Sequence, residues 1–155
     1  MIIRKINKKD NTKIEEIIKS TFIEYELPQT GTAYQDKETT EMFQAYQNED
    51  DVYFIIEEHE EVVGGAGIKN LGEEICELQK MYFDKTIRGK GYGKLLITKC
   101  LETAKELGYK KCYLETISRL QAAIHIYENH GFKHLKKPLS NTDHYSCDTW
   151  MIKEL

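Results

Sequence analysis

The chain has 155 residues, 40% hydrophobic and 31% charged, with a formal net charge of −4. That length suits one compact domain, residues 1–155, with enough apolar content for a real core. The acidic balance excludes a general nucleic-acid footprint. No apolar run reaches the roughly 20 residues of a membrane span, and MIIRKINKKD lacks the pattern of a signal peptide, so a cytoplasmic location is expected.

Ile2, Ile3 and Ile6 predict a short opening strand. Asp10 or Asn11 can cap a helix that carries Ile14, Ile17, Ile18, Phe22 and Tyr25 on one apolar face, and Pro28 and Gly31 end it. A polar loop, Leu27–Lys37, precedes a second helix expected over Glu38–Gln47, with Met42, Phe43 and Tyr46 inward. Val52–Glu58 and Val62–Ile68 flank the polar tip His59-Glu60-Glu61 and read as a hairpin. Gly64, Gly65 and Gly67 in its second strand suggest a bulge or a close approach by a ligand or another backbone; plain packing is the alternative.

After a turn at Leu71-Gly72, Ile75–Phe83 is a further strand. A helix from Gly91 to Leu107 places Leu96, Cys100, Ala104 and Leu107 on one stripe, and Gly108 stops it. Cys112–Thr116 is a short apolar strand, and Leu120–His130 is helical and ends at Gly131. Phe132–Leu135 and Tyr145–Ile152 are the last strands expected; the latter could pair within the sheet or form a dimer edge. Strand pairs joined by crossing helices indicate an α/β sandwich around a mixed sheet.

Cys76, Cys100, Cys112 and Cys147 form no CxxC pair and read as reduced thiols. His125 and His130 are five apart, and His59, His134 and His144 are scattered, so no metal site is expected.

The most informative stretch is Met81–Leu107. Gly89, Gly91 and Gly93 bring bare backbone N–H groups to a helix N-terminus beside Arg88, Lys90 and Lys94, an anion site suited to phosphate. A P-loop is excluded because Leu95, not Ser or Thr, follows Gly93-Lys94. A dinucleotide fingerprint is disfavoured: the third glycine position holds Lys94, and Asp84–Arg88 separates the strand from the glycines.

Arg88-Gly89-Lys90-Gly91-Tyr92-Gly93 matches the R/Q-x-x-G-x-G/A signature of the GCN5-related N-acetyltransferases, the GNAT family. Glu77–Phe83 and Tyr127-Glu128-Asn129-His130-Gly131-Phe132 are similar to two further family segments, in family order, so the resemblance spans about Val52–Phe132. It implies a three-layer α/β (α+β) sandwich with a mixed, mostly antiparallel sheet of about six to seven strands and about four helices. It also implies an acyltransferase that moves the acetyl group of acetyl-CoA to a primary amine by direct attack through a tetrahedral intermediate.

By the same resemblance, Arg88, Gly89, Lys90, Gly91, Tyr92, Gly93 and Lys94 hold the pyrophosphate. Met81, Tyr82 and Phe83 offer backbone groups to the pantetheine arm, with the Phe83 N–H facing the thioester carbonyl. Tyr127 occupies the place of the family's proton donor to the leaving thiolate; the alternative is a core aromatic on an amphipathic helix. Glu77 occupies a place where relatives carry a base, and strand alternation would put it on one face with Gln79 and Met81; the alternative is a solvated edge carboxylate. Leu120 stands where many relatives have an Asn that contacts the cofactor, leaving Arg119 as a substitute contact.

Acceptor choice in the family comes from the first helices, their loop and the C-terminal hairpin, here Tyr25, Tyr34, Asp36 and the Asn141–His144 loop. Asp36 and Glu26 could attract a cationic amine on a small molecule or a protein. The rival reading is a non-catalytic acetyl-CoA-binding sensor or interaction module. Monomer and homodimer both stay open, with no nucleic-acid or membrane partner expected.

Overall fold

In a computed structural model, which describes residues 1–139 and 143–155, a mixed sheet of seven strands is covered on both faces by helices. The strands are β1 (Ile2–Lys5), β2 (Val52–Glu58), β3 (Glu61–Gly72), β4 (Ile75–Phe83), β5 (Lys111–Thr116), β6 (Lys133–Leu135) and β7 (Thr149–Glu154). The helices are α1 (Asn11–Glu24), α2 (Met42–Ala45), α3 (Tyr92–Glu106) and α4 (Gln121–Asn129). The spatial order is β1-β2-β3-β4-β5-β7-β6, and every neighbouring pair is antiparallel except β4–β5. This is the mixed, mostly antiparallel sheet with four helices that the sequence led us to expect.

Strand alternation sorts the core into two layers. Val52, Phe54 and Ile56 of β2 pack with Leu96, Ile97 and Cys100 of α3 on one face. Tyr53 and Ile55 pack with Ile14, Ile18 and Phe22 of α1 on the other. Those α1 residues recur at the spacing of one helical stripe, which is why the helix lies flat on the sheet.

The parallel pair decides where a site can form. β4 and β5 are in register only at Ile75–Glu77 against Lys111–Tyr113, and then the strands part. Three residues past the last pair lies a bulge: Gly65 faces Tyr82 and Gly67 faces Gln79, so Lys80 and Met81 together oppose the single residue Ala66. Lys80 takes a left-handed conformation (φ +51°), uncommon for a residue with a Cβ, and the Tyr53 hydroxyl fixes it by donating to the Lys80 carbonyl at 2.8 Å.

The glycines of β3 make room for this arrangement. A Cβ on Gly65 or Gly67 would lie 2.5 or 2.6 Å from the Tyr53 ring, and one on Gly64 would lie 2.4 Å from Phe83. The close approach suggested by these glycines is therefore made by aromatic side chains.

Three elements differ from expectation. β3 runs on through the turn expected at Leu71-Gly72, and the chain turns at Glu73-Glu74, both left-handed (φ +52° and +61°). The second helix is broken into a 3₁₀ turn at Lys37–Thr40 and the one-turn α2, with Glu41 in a non-helical conformation between them (φ −133°, ψ 46°). Side-chain bonds tie both pieces to neighbouring segments: the Asn11 Oδ1 accepts from the Phe43 N–H at 2.8 Å, and the Thr39 hydroxyl donates to the Ala33 carbonyl at 2.6 Å. The last strand starts at Thr149 rather than Tyr145, because Ser146 and Cys147 are bonded into loops and the Asp148 carboxylate accepts from the Ser118 N–H at 2.7 Å.

Candidate active site

Two connected spaces occupy the parting of β4 and β5. The outer one, a groove of about 540 Å³, runs between the glycine loop and α4, lined by Phe83, Gly89, Gly91, Gly93, Ala123 and Ile126 among others. The inner one, about 60 Å³, lies where the strands separate and includes Glu77, Glu115, Tyr127, His144 and Cys147 in its wall. Met81, Tyr82, Leu120 and Ala123 belong to both.

The glycine loop forms the mouth of the groove. Gly91 is the N-cap of α3 at φ +84°, a conformation that glycine adopts without steric cost. The first bond of the helical ladder runs from the Leu95 N–H to the Gly91 carbonyl at 3.3 Å, so the amides of the preceding turn are left to a ligand or solvent. A Cβ at Gly89 or Gly91 would meet nothing within 4 Å. Open space before donor amides at a helix N-terminus fits a pyrophosphate.

The cations around this mouth are placed unequally. Lys90 and Lys94 are exposed. Arg88 instead reaches α1: its Nη1 donates to both Glu24 carboxylate oxygens at 2.8 Å, its Nε donates to the Phe83 carbonyl at 3.1 Å, and its guanidinium lies over the Tyr25 ring. Across the groove, Arg119 donates to the Glu26 carbonyl at 2.8 Å. Both arginines therefore hold the C-terminal end of α1 over the groove. Tyr92 bonds through its hydroxyl to Glu58 on the β2–β3 hairpin.

The backbone edge of β4 forms the floor. The Asp84 N–H bonds the Val63 carbonyl of β3 at 2.8 Å, so by alternation Phe83 turns its N–H and C=O to the edge that β5 has left. The bulge also changes the side-chain phase. Glu77 and Gln79 share one face, but Lys80 joins them there, while Met81 and Phe83 pack on the opposite face with the α3–α4 core. Glu77, Gln79 and Met81 consequently do not share a face, because one extra residue in the strand shifts the alternation.

Glu77 is 5% exposed, so the solvated-edge alternative does not apply. Burial pushes its pKa up, aided by the nearby Glu115 charge and opposed by the bond from Gln79 Nε2 to its Oε2 at 2.7 Å. The Tyr46 hydroxyl donates to Gln79 Oε1 at 3.1 Å, completing a Tyr46–Gln79–Glu77 chain that fixes the carboxylate. Tyr127 is 6% exposed and packs edge-on to Phe132, and its hydroxyl makes no hydrogen bond among the described residues. Burial raises its pKa, so the phenol keeps its proton. Thus Tyr127 both belongs to the core and lines the cavity.

Residues distant in sequence close the inner cavity. Lys80, with a side chain only 2% exposed, lies 3.1 Å from the Asp36 carboxylate and 3.5 Å from Glu38. The same Asp36 oxygen is 2.7 Å from His144 Nε2. That bond raises the His144 pKa, and together with the Lys80 charge it holds Asp36 below its usual range in spite of burial. Ser146 and Tyr145 complete the closure: the Ser146 hydroxyl donates to the Thr30 carbonyl at 2.8 Å, and the Tyr145 ring sits against Gly31. Asn141, expected at the acceptor side, lies outside the described residues. Gln79, Lys80 and Glu115 were not expected in the site; the consecutive polar pair Gln79-Lys80 in an alternating strand was the available sign of the bulge.

A groove that leads from donor amides at a helix N-terminus to an uncovered strand edge is the architecture of a coenzyme-A-dependent acyltransferase. The sequence matches the family model for the acetyltransferase (GNAT) family over residues 14–132, and the chain belongs to that family. It is 42% identical over 158 residues to YjgM, an uncharacterised N-acetyltransferase of Escherichia coli K12, covering 99% of this chain and 95% of that protein. A GNAT-family acetyltransferase from Staphylococcus aureus Mu50 superposes with a TM-score of 0.86 at 25% identity, covering 99% and 98% of the two chains. yncA from Salmonella typhimurium, solved with its cofactor acetyl-CoA, gives 0.79 at 20% identity over 99% and 93%.

Proposed function

We propose that this chain, acting as a single domain in the cytoplasm, binds acetyl-CoA and transfers its acetyl group to a primary amine. The observation that carries the reading is the parting of β4 and β5 beside the glycine loop, with Glu77 and Tyr127 in the wall of one cavity. The first-turn amides of α3, with Gly89 and Gly91 giving close access and Lys94 beside them, receive the pyrophosphate. Lys90 and Arg88 add charge, and Arg88 does so by leaving part of its bond to Glu24. The open edge at Met81–Phe83 takes the pantetheine arm. Tyr92 anchors the start of α3 through Glu58.

The thioester supplies an activated acetyl group. Glu77, directly or through a water, takes a proton from the bound ammonium, which otherwise stays protonated at neutral pH. The amine nitrogen forms a bond to the thioester carbon, giving a tetrahedral intermediate that collapses with cleavage of the carbon–sulfur bond. The Phe83 N–H faces the carbonyl oxygen as charge grows on it. Tyr127 donates its proton to the departing thiolate and recovers one from the nitrogen by way of solvent, so the products are an acetamide, the free CoA thiol and one proton.

The test is calorimetric titration with acetyl-CoA, followed by an amine panel scored by release of CoA thiol. Binding together with amine-dependent release is the expected result. Binding without release for any amine would refute the transferase reading.

A further inference from the structure

The inner cavity also carries information about the acceptor. Its volume of about 60 Å³ is small beside the roughly 540 Å³ of the outer groove, so the site narrows toward this end. Glu77 and Glu115 stand in its wall from neighbouring strands, Glu77 as the last paired residue of β4 and Glu115 two residues past the last paired residue of β5, Tyr113. Glu115 Oε2 accepts from the Tyr113 hydroxyl at 2.8 Å, and its charge lies near enough to Glu77 to help raise the Glu77 pKa. The cations on the same wall are Lys80 and His144, and both are already held by Asp36. Tyr127, almost fully buried and with its hydroxyl lacking a partner among the described residues, lines this same space, as a group waiting for a ligand would.

We propose that the acceptor is a primary ammonium on a slender arm, unbranched and free of carboxylate or phosphate at the carbon bearing nitrogen, received between Glu77 and Glu115, with Glu115 as a specificity-determining residue. The inference rests on the acetyltransferase reading and adds the substrate class to it. An ammonium gains charge-assisted hydrogen bonds from the two carboxylates. A carboxylate on the adjacent carbon would face Glu77 and Glu115 instead, and Lys80 and His144 are committed to Asp36, so like charge rejects it. The environment of Cys147 reports the same field: burial and the surrounding carboxylates of Glu115, Asp148, Glu77 and Asp36 push its thiol up to about 12. The narrowing of the site sets the second limit: Leu120 and Ala123 line both the outer groove of about 540 Å³ and the inner cavity of about 60 Å³, so an unbranched arm is the shape that passes from one to the other.

Three amines of one skeleton separate charge from shape: n-propylamine, sec-butylamine, which adds a methyl at that carbon, and 2-aminobutyrate, which adds a carboxylate there. Steady-state release of CoA thiol by the full chain should give the highest kcat/KM for n-propylamine, a lower value for sec-butylamine and the lowest for 2-aminobutyrate. In Glu115→Gln, the KM for n-propylamine should rise roughly 10- to 100-fold, the worth of one hydrogen bond to a charged group, with the acetyl-CoA Kd and the melting temperature unchanged. Glu115→Asp should recover part of the loss.

Equal or better use of 2-aminobutyrate, or an unchanged KM in Glu115→Gln, overturns the ammonium assignment and leaves acetyl transfer standing. Acetyl-CoA binding without CoA release for every amine overturns both.

Discussion

The sharpest expectation concerns Gly91, because its two roles can be separated by a matched control. Gly91 adopts φ +84° at the start of α3, and a Cβ there would meet nothing within 4 Å. Gly108, at the other end of the helix, has φ +89° and equally open surroundings, but it lies away from the groove. Alanine at either position suffers the same left-handed strain, about 1–2 kcal/mol. For a chain of this size that lowers the melting temperature by about 2–8 °C.

Only at Gly91 does the new methyl enter the space in front of the helix amides. If it displaces one charge-assisted hydrogen bond to phosphate, worth about 1.5–3 kcal/mol, the acetyl-CoA Kd rises roughly 10- to 100-fold. Calorimetric titration of both variants, paired with thermal melts, provides the comparison. Gly108→Ala should melt early and bind normally, whereas Gly91→Ala should melt early and bind weakly. Normal acetyl-CoA affinity in Gly91→Ala would refute the phosphate-loop assignment.

Three further outcomes follow from the geometry. Tyr127→Phe keeps the ring in the core and should lower kcat about 100-fold, the scale of one general acid, with the cofactor Kd unchanged; undiminished turnover would remove the acid role. For Glu77, burial raises the folded pKa above the unfolded value of about 4.3, so wild-type stability falls as pH rises through that window and stays lower above it. Glu77→Gln should therefore melt higher than wild type at neutral pH, with the difference closing below about pH 4, while losing the acid limb of the kcat/KM profile; an acid limb that survives the substitution would exclude Glu77 as the base. Glu24→Ala removes the carboxylate that holds Arg88, and because Glu24 is largely solvent-facing its stability effect should stay within about 1 kcal/mol. Its acetyl-CoA affinity should improve as the guanidinium is released to the phosphates. An unchanged Kd would instead make Arg88 a clamp on α1.

What was legible in the sequence is what short-range geometry dictates. Alternate glycines before an amphipathic run specify positive φ, exposed amides and a helix start, and those requirements are met within six residues, Arg88–Gly93. Apolar spacing likewise placed α1, α3 and α4, because a helix buries one stripe whatever lies beneath it. Glu77 and Tyr127, which the structure brings into the wall of one cavity, were singled out through the segments that carry them.

The interior of the site was decided by contacts between elements. A single extra residue at Lys80 shifts the phase of β4 and moves Met81 to the other face, an outcome that depends on a tyrosine from β2 lying over two glycines of β3. Asp36 and His144 meet across 108 positions, and Arg88 meets Glu24 across 64. Helix and strand periods are properties of neighbouring dihedral angles and are written locally. Which charges neutralise one another, and where two parallel strands part, depends on how the layers pack, and here that packing made a general anion loop into a site with a small, negatively lined end.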